Sequence, residues 1–362
     1  MTELDLTALT AGLSRRDWDD THDGTVRFAL VGLGWWTSEH VRPMLADLDV
    51  AAATVAVSGT PEKRERASAE WEQIEATLSY DAFHDGAATD HYDAVYVCTP
   101  NATHLEHVEA AAAHGKPVLC EKPMEATTER ARAMVEACET AGVPLIVGYR
   151  MQTDPVVRTL RDAVADGFLG EPVHVQGHMS QPIGELFPDG NWRLDEELAG
   201  GGASVTDLGI YPLNTTRFLL DIDPVSVRAT AKSAGAMFDD VPDEHATFEV
   251  TFDDGTVAQC AASQNAEFAA GLEIVGTEGA IRLEPGFFDN DTQRLTLVRG
   301  GDRHTVTYDS VGQMREEFAY LAHHLLGDEP VDPTGRHALA DVATIEAVYE
   351  AAASDERVAV EW

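Results

Sequence analysis

Residues 26–37 read VRFALVGLGWWT, an apolar run ending on Gly32-Leu33-Gly34-Trp35-Trp36-Thr37, a GxGxxG variant with threonine in the third place. The run predicts a strand buried on both faces. The glycines predict a tight turn into a helix whose first backbone N–H groups can face a pyrophosphate. An isolated GxG also describes a plain structural turn; the strand before it and the helical pattern after it supply the context that dinucleotide binding needs. The side chains of Trp35 and Trp36 pack either against a cofactor or over the core.

The same texture continues to Arg150. Short apolar runs recur at ATVAVSG (53–59), DAVYVCTP (93–100), KPVLCEKP (116–123) and VPLIVGYR (143–150). Helical segments such as TPEKRERASAEWEQ and THLEHVEAAAAHG separate them. Buried strands joined by helical crossovers predict a doubly wound parallel sheet. Beyond Arg150 a helical DPVVRTLRDAVADGF gives way to alternating strands, as in HATFEVTFDDGTVAQCAAS, where Asp253-Asp254-Gly255 marks a hairpin turn. LEIVGTEGAIRLEP and RLTLVRGGDRHTVTYDS continue the strands, and the late segments QMREEFAYLAHHLL and RHALADVATIEAVYEAA read as helices. The expected fold class is α/β: an N-terminal Rossmann domain plus a C-terminal α+β domain with a large, mostly antiparallel open sheet. The expected boundaries are an extension over 1–23, the Rossmann domain over 24–150, the second domain over 151–335, and a C-terminal helix and tail over 336–362. Two domains also suit the 362 residues, since single cores stop growing at roughly 250 to 300.

Sixty-three acidic against 25 basic residues give 25 − 63 = −38, while 44% of residues are hydrophobic. A disordered acidic tail is thereby excluded, and the charge belongs on a folded surface. Such self-repulsion needs strong screening, which predicts adaptation to very high salt. Nucleic acid and anionic membranes are electrostatically disfavoured partners. No stretch approaches the roughly 20 apolar residues of a membrane span, and the N-terminal residues show no basic region followed by an apolar run, so a soluble cytoplasmic protein is expected. Cys98, Cys120, Cys138 and Cys260 lack CxxC spacing. They predict buried reduced thiols and no metal site.

At the tip of the second strand an NAD enzyme usually places an acid for the ribose 2′-hydroxyl. Here stands Ser58-Gly59-Thr60-Pro61-Glu62-Lys63-Arg64, hydroxyls followed by two cations, which favours NADP. Lys63 and Arg64 equally describe solvated residues of a first helical turn. Glu121-Lys122-Pro123 closes a strand at the carboxyl edge of the sheet, where Lys122 can reach a substrate oxygen as acid or base; the tripeptide alone also fits a surface lysine. Farther on come Asn191-Trp192-Arg193, then Gly200-Gly201-Gly202, which permits close backbone approach. Asp207 and Tyr211 follow, four apart on a helical stretch. A carboxylate that accepts from hydroxyls and a phenol that exchanges a proton suit a sugar pocket; a helix N-terminal acid and a half-buried core tyrosine are the plain alternative.

These motifs in this order resemble the Gfo/Idh/MocA oxidoreductase family over nearly the whole chain. VGLGWW, VSGTPEK, DAVYVCTPNATH, GKPVLCEKPM, GYR, NWRLDEELAGGGASVTDLGIYPLNTTRFLL and IEAVYEAA carry the likeness. The resemblance implies that Lys122 positions or deprotonates the reacting hydroxyl, Tyr211 is the acid/base and Asp207 helps hold substrate. Many members have histidine where Tyr211 stands, and tyrosine there implies aldoses over inositol. It further implies that Ser58 and Lys63 bind the 2′-phosphate and that Thr99, Pro100, Asn101 and His104 line the cofactor cleft. Glu121, Arg150, Trp192 and Arg193 fall beside cofactor or substrate by the same match. The large sheet is implied as a homo-oligomer interface. The expected activity is NADP-dependent oxidation of an aldopyranose at C1, D-xylose first, with a dissociable cofactor because the N-terminal segment is short. Dihydrodiol or inositol oxidation, and a non-catalytic NADP-binding sensor, are the rival readings.

Overall fold

The computed structural model describes residues 6–13, 15–187, 191–289 and 292–362. Contacts cluster into two compact units: Trp18–Arg150 with Met314–Leu339, and Met151–Gln313 with Ala340–Trp362 and the segment preceding Trp18.

In the first of these, β1 (Val26–Val31), β2 (Ala51–Val57), β3 (Ala76–Leu78), β4 (Ala94–Val97), β5 (Val118–Glu121) and β6 (Leu145–Gly148) form one sheet in the order β3-β2-β1-β4-β5-β6. Every pairing is parallel. The strand order reverses between β1 and β4, which places a ligand crevice beyond their carboxyl ends. The continuous apolar runs follow from burial on both faces: Phe28, Leu30, Val95, Val97 and Leu119 are fully enclosed. The helix Gln313–Gly327, grouped by sequence order with the second domain, supplies part of this core. Its Phe318 lies edge-on to Phe28 with ring centroids 5.0 Å apart and also touches Tyr96, and Trp18 meets Tyr320 edge-on at 5.2 Å. Large aromatics on one helical face need a sheet to cover, and β1 and β4 provide it.

The other unit holds a nine-stranded sheet: β7 (Pro172–Pro182), β8 (Pro224–Lys232), β9 (His245–Phe252), β10 (Val257–Ser263), β11 (Asn265–Gly276), β12 (Gly279–Leu283), β13 (Thr292–Arg299), β14 (Asp302–Asp309) and β15 (Val358–Ala359). The order is β14-β13-β12-β11-β7-β10-β9-β8-β15. All pairs are antiparallel except β10 with β7. The β9–β10 hairpin turns on Asp253-Asp254-Gly255 as expected; Asp254 accepts from the Thr256 amide and hydroxyl, each at 2.8 Å, and Gly255 adopts φ +89°. Alternation leaves Phe248, Val250 and Cys260 inward; the helix Ile210–Leu220 packs on this sheet against β7, β10 and β11, and the helix Pro155–Ala165 packs on that helix. Gly177 on β7 is required by this packing, because a Cβ there would lie 2.4 Å from Pro212 Cβ. None of the four cysteines is in a disulfide, and burial pushes the Cys138 and Cys260 thiols up to about 12. Among the described residues no helix is long and apolar enough to cross a membrane.

Candidate active site

The cofactor side is built at the carboxyl ends of the parallel strands. Gly32 adopts φ +97°, and a Cβ on it would meet Cys98 O at 2.1 Å, so the first glycine is dictated by the neighbouring end of β4. Gly34 differs: an added Cβ meets no protein atom within 4 Å. Nothing in the protein's own packing calls for glycine there, whereas close approach of a ligand to the backbone does. Thr37, in the place of the third glycine, is buried and donates from Oγ1 to Gly32 O at 2.7 Å, which ties the helix start to the strand end. Residues Thr37–Val41 form a π-helical turn, a widened geometry frequent at functional sites. The two tryptophans separate here. Trp36 packs on the core and Trp35 is 55% exposed. His40 sits beside both indoles at 4.6 and 4.7 Å, and burial, helped by the Arg150 charge, lowers its pKa. The Arg150 guanidinium lies 5.9 Å from the Trp36 ring.

At the tip of β2, Ser58 is buried and its Oγ accepts from the Thr60 amide at 3.2 Å. Arg64 turns back to donate to Ser58 O at 2.5 Å, so of the two cations read from the sequence it serves the loop while Lys63 is exposed. Lys63 lines a pocket of about 250 Å³ with Trp35, Arg42, Arg66, Glu70 and Trp71. Arg42 and Arg66 were not anticipated; they reach it from two different helices, a convergence that linear spacing does not show. Arg66 pairs with Glu70 at 3.0 Å, and the Arg42 guanidinium lies over Trp71 at 5.6 Å with its Nε lacking a hydrogen-bond partner. Exposed or half-satisfied cations with no acid at the strand tip fit a 2′-phosphate better than a bare ribose hydroxyl.

Thr99, Pro100 and Asn101 follow β4, with Thr103 Oγ1 donating to Pro100 O at 2.7 Å. His104 corrects the expectation that it lines the cleft. Its side chain is fully enclosed, and its ring nitrogens face Thr99 O at 2.9 Å and Met124 O at 3.0 Å. It is a strut between the loops that follow β4 and β5. Glu121 is likewise engaged: Tyr96 donates to it at 2.8 Å and the Lys122 amide at 3.2 Å. The carboxylate thereby fixes the backbone of Lys122, which is half-buried ahead of a cis Lys122–Pro123 bond.

The substrate-side residues lie in the other unit. Asp207 does not occupy an α-helical turn; Val205–Gly209 is π-helical, and Tyr211 lies in the first turn of the α-helix Ile210–Leu220. Tyr211 is 6% exposed with its ring 5.8 Å from Phe287. Arg193 Nε lies 3.2 Å from Asp207 Oδ1, and its guanidinium stacks 4.6 Å from the Trp192 ring. Asp207 Oδ2 accepts from Gln264 at 2.8 Å and from Gln181 at 3.4 Å.

The close approach that the triple glycine permits is made by the protein itself: a Cβ on Gly202 would lie 2.5 Å from both Asp243 Oδ1 and the Tyr349 hydroxyl oxygen. Asp243, fully buried, accepts from the amides of Ala203 at 2.6 Å and Val205 at 2.8 Å and from Tyr349 at 2.8 Å. It thus caps the helical segment carrying Asp207 from a distant part of the chain. Burial raises the pKa of Asp243 and, reinforced by Asp243, that of Tyr349. None of these site residues joins a metal-ligand cluster; among the described residues, Asp19, His22 and Glu329 bring ligand atoms within 4.8 Å at the surface.

Two family models match: an oxidoreductase-family NAD-binding Rossmann fold over residues 26–149, and the GFO/IDH/MocA C-terminal domain over 157–282. A D-xylose 1-dehydrogenase [NADP(+)] of Haloarcula marismortui is 48% identical, covering 98% of this chain and 99% of its own length. A D-xylose 1-dehydrogenase (NADP(+)) of Haloferax volcanii is 30% identical over 79% of this chain and 86% of its own. Among solved structures, aldose-aldose oxidoreductase from Caulobacter crescentus complexed with glycerol superposes with a TM-score of 0.84 at 30% identity, covering 93% of this chain and all of that one. With a glycine-turn Rossmann sheet in one unit, an open nine-stranded sheet in the other and this span of similarity, the chain belongs to the Gfo/Idh/MocA oxidoreductase family.

Proposed function

We propose that the protein is an NADP-dependent aldose 1-dehydrogenase whose preferred substrate is D-xylose. The observation that carries the reading is the 48% identity, over 98% of the chain, to a D-xylose 1-dehydrogenase [NADP(+)]. The acid-free tip of β2 and the cations of Lys63 and Arg42 support NADP. NADP⁺, when bound, supplies the acceptor for the C1 hydride. The protein's part is placement and proton control. Tyr211 takes the proton of the reacting hydroxyl as the lactone forms, and Lys122 hydrogen-bonds the same oxygen and stabilises the charge that develops on it. Asp207 accepts from a sugar hydroxyl while Arg193 holds its other oxygen. Gly32, Gly34 and Thr37 shape the pyrophosphate turn, and Ser58, Thr60 and Lys63 meet the ribose 2′-phosphate. Thr99, Pro100, Asn101, Arg150 and Trp192 contribute to the cleft, while Glu121 and His104 support it from behind.

The finer setting is proposed on the same footing. A charge of −38 suits work in molar salt, four cysteines without a disulfide suit a reducing cytoplasm, and the open face of the nine-stranded sheet suits pairing with a second copy. The test is the initial rate of NADP⁺ and NAD⁺ reduction in molar KCl with xylose, glucose, arabinose, inositol and a cyclic diol. Fastest NADP⁺ reduction with xylose is expected. Reduction with inositol or the diol alone moves the protein to another branch of the family.

A further inference from the structure

Asp207 is held by an amide relay that belongs to none of the motifs above. Gln264 is fully buried where β10 passes into β11. Its backbone is fixed on both sides: the amide donates to Ser204 Oγ at 3.0 Å and Glu244 O at 3.1 Å, and the carbonyl accepts from the Ile183 amide at 2.9 Å. Its side chain has one consistent orientation. Gln181 Nε2 donates to Gln264 Oε1 at 3.0 Å, which turns the Gln264 NH₂ toward Asp207 Oδ2 at 2.8 Å. With Arg193 Nε at 3.2 Å from Oδ1 and Gln181 Nε2 at 3.4 Å from Oδ2, N–H donors converge on one carboxylate. Only the ionised form, an acceptor at both oxygens, satisfies such a set.

We propose that Gln264, backed by Gln181, is a positioning residue that holds Asp207 as an oriented carboxylate and so sets the lower pH limit of sugar oxidation. The proposal rests on the reading of Asp207 as a substrate-binding group. An amide suits this task for a physical reason: it donates without carrying charge, so it orients the carboxylate without neutralising it against Arg193 or a sugar hydroxyl.

The experiment replaces the donor by an acid of nearly equal shape. In Gln264→Glu two carboxylates stand within hydrogen-bond distance, and such a pair shares a proton to higher pH. The acid limb of the kcat/KM profile is expected to move up by about one pH unit or more, with activity approaching the parent's on the alkaline side. Gln264→Leu, which removes the donor without adding an acid, is expected to lower kcat/KM about tenfold or more across the range without that shift. Unchanged circular dichroism and thermal midpoint identify folded variants. Where Gln264→Glu fails to fold, Gln181→Glu, at the half-buried end of the relay, carries the same expectation. A Gln264→Glu profile that superimposes on the parent's overturns the proposal. Asp207→Asn separates the two levels: if it is as active as the parent, the reading of Asp207 itself is wrong; if it is impaired while Gln264→Glu shows no shift, only the relay is wrong.

Discussion

Gly202→Ala is expected to destabilise the protein by about 3–6 kcal/mol, although alanine is the smallest possible addition. The new Cβ would lie 2.5 Å from Asp243 Oδ1, 2.5 Å from the Tyr349 hydroxyl oxygen and 2.6 Å from Tyr349 Cε1, and one atom cannot relieve all three. Overpacking costs about 1–3 kcal/mol. Moving Asp243 weakens its bonds from the amides of Ala203 and Val205, at 2.6 and 2.8 Å, and hydrogen bonds to a charged acceptor contribute about 1.5–3 kcal/mol each. Sharing the strain between the carboxylate and the phenol keeps the total within the stated range. Urea unfolding in molar KCl, followed by circular dichroism, measures it. Tyr349→Phe removes one of the atoms in the way, so in the double variant the glycine substitution is expected to cost at least about 1 kcal/mol less than alone. Activity should fall with stability, since the capped segment carries Asp207. A Gly202→Ala protein within about 0.5 kcal/mol of the parent, with no coupling to Tyr349, would refute the nonlocal cap.

Other expectations can be checked independently. Lys122→Met and Tyr211→Phe should each lower kcat by about 10² to 10⁴-fold while NADP⁺ affinity, measured by fluorescence titration, stays near the parent's. Lys63→Glu together with Arg42→Glu should raise KM for NADP⁺ about tenfold or more and leave KM for NAD⁺ little changed; equal effects on both cofactors would remove the pocket from 2′-phosphate recognition. Burial, with the neighbouring His84 and His104, lowers the His107 pKa from 6.5 to about 4, so the unfolded chain takes up a proton that the folded one refuses. Stability is therefore fullest above about pH 6.5 and is lost as the pH falls toward 4, by up to about 3 kcal/mol, and His107→Phe should flatten the urea midpoint over that window. His84 Nε2 lies 3.0 Å from His107 Nδ1 and its charge is one of the causes of the lowered His107 pKa, so His84→Phe should also alter the pH dependence.

The Rossmann half was legible because its signals are local. Strands buried on both faces are apolar without interruption, and Gly32 stands where the chain must adopt φ +97° against the end of β4. β7 escaped the sequence because His174, Gln176, His178 and Ser180 alternate with only a few inward residues, Val175, Gly177 and Met179 among them; its central place depends on partners far along the chain. The same limit explains the site. Lys122, Asp207 and Tyr211 sit in motifs, whereas Asp243, Tyr349, Gln181 and Gln264 act through contacts across 26 to 143 residues of sequence. His104 was misread for the opposite reason: a polar residue in a motif suggests a ligand, and only the three-dimensional environment reveals two backbone carbonyls as its partners.

The central claim, oxidation of an aldose at C1 by hydride transfer to NADP⁺, is tested most directly with D-xylose carrying deuterium at C1. The expected result in molar KCl is deuterium on the reduced nicotinamide, a xylonolactone that hydrolyses to xylonate, and a slower rate than with the protium sugar. Deuterium retained in the sugar product, or no NADP⁺ reduction with any aldose, would contradict it.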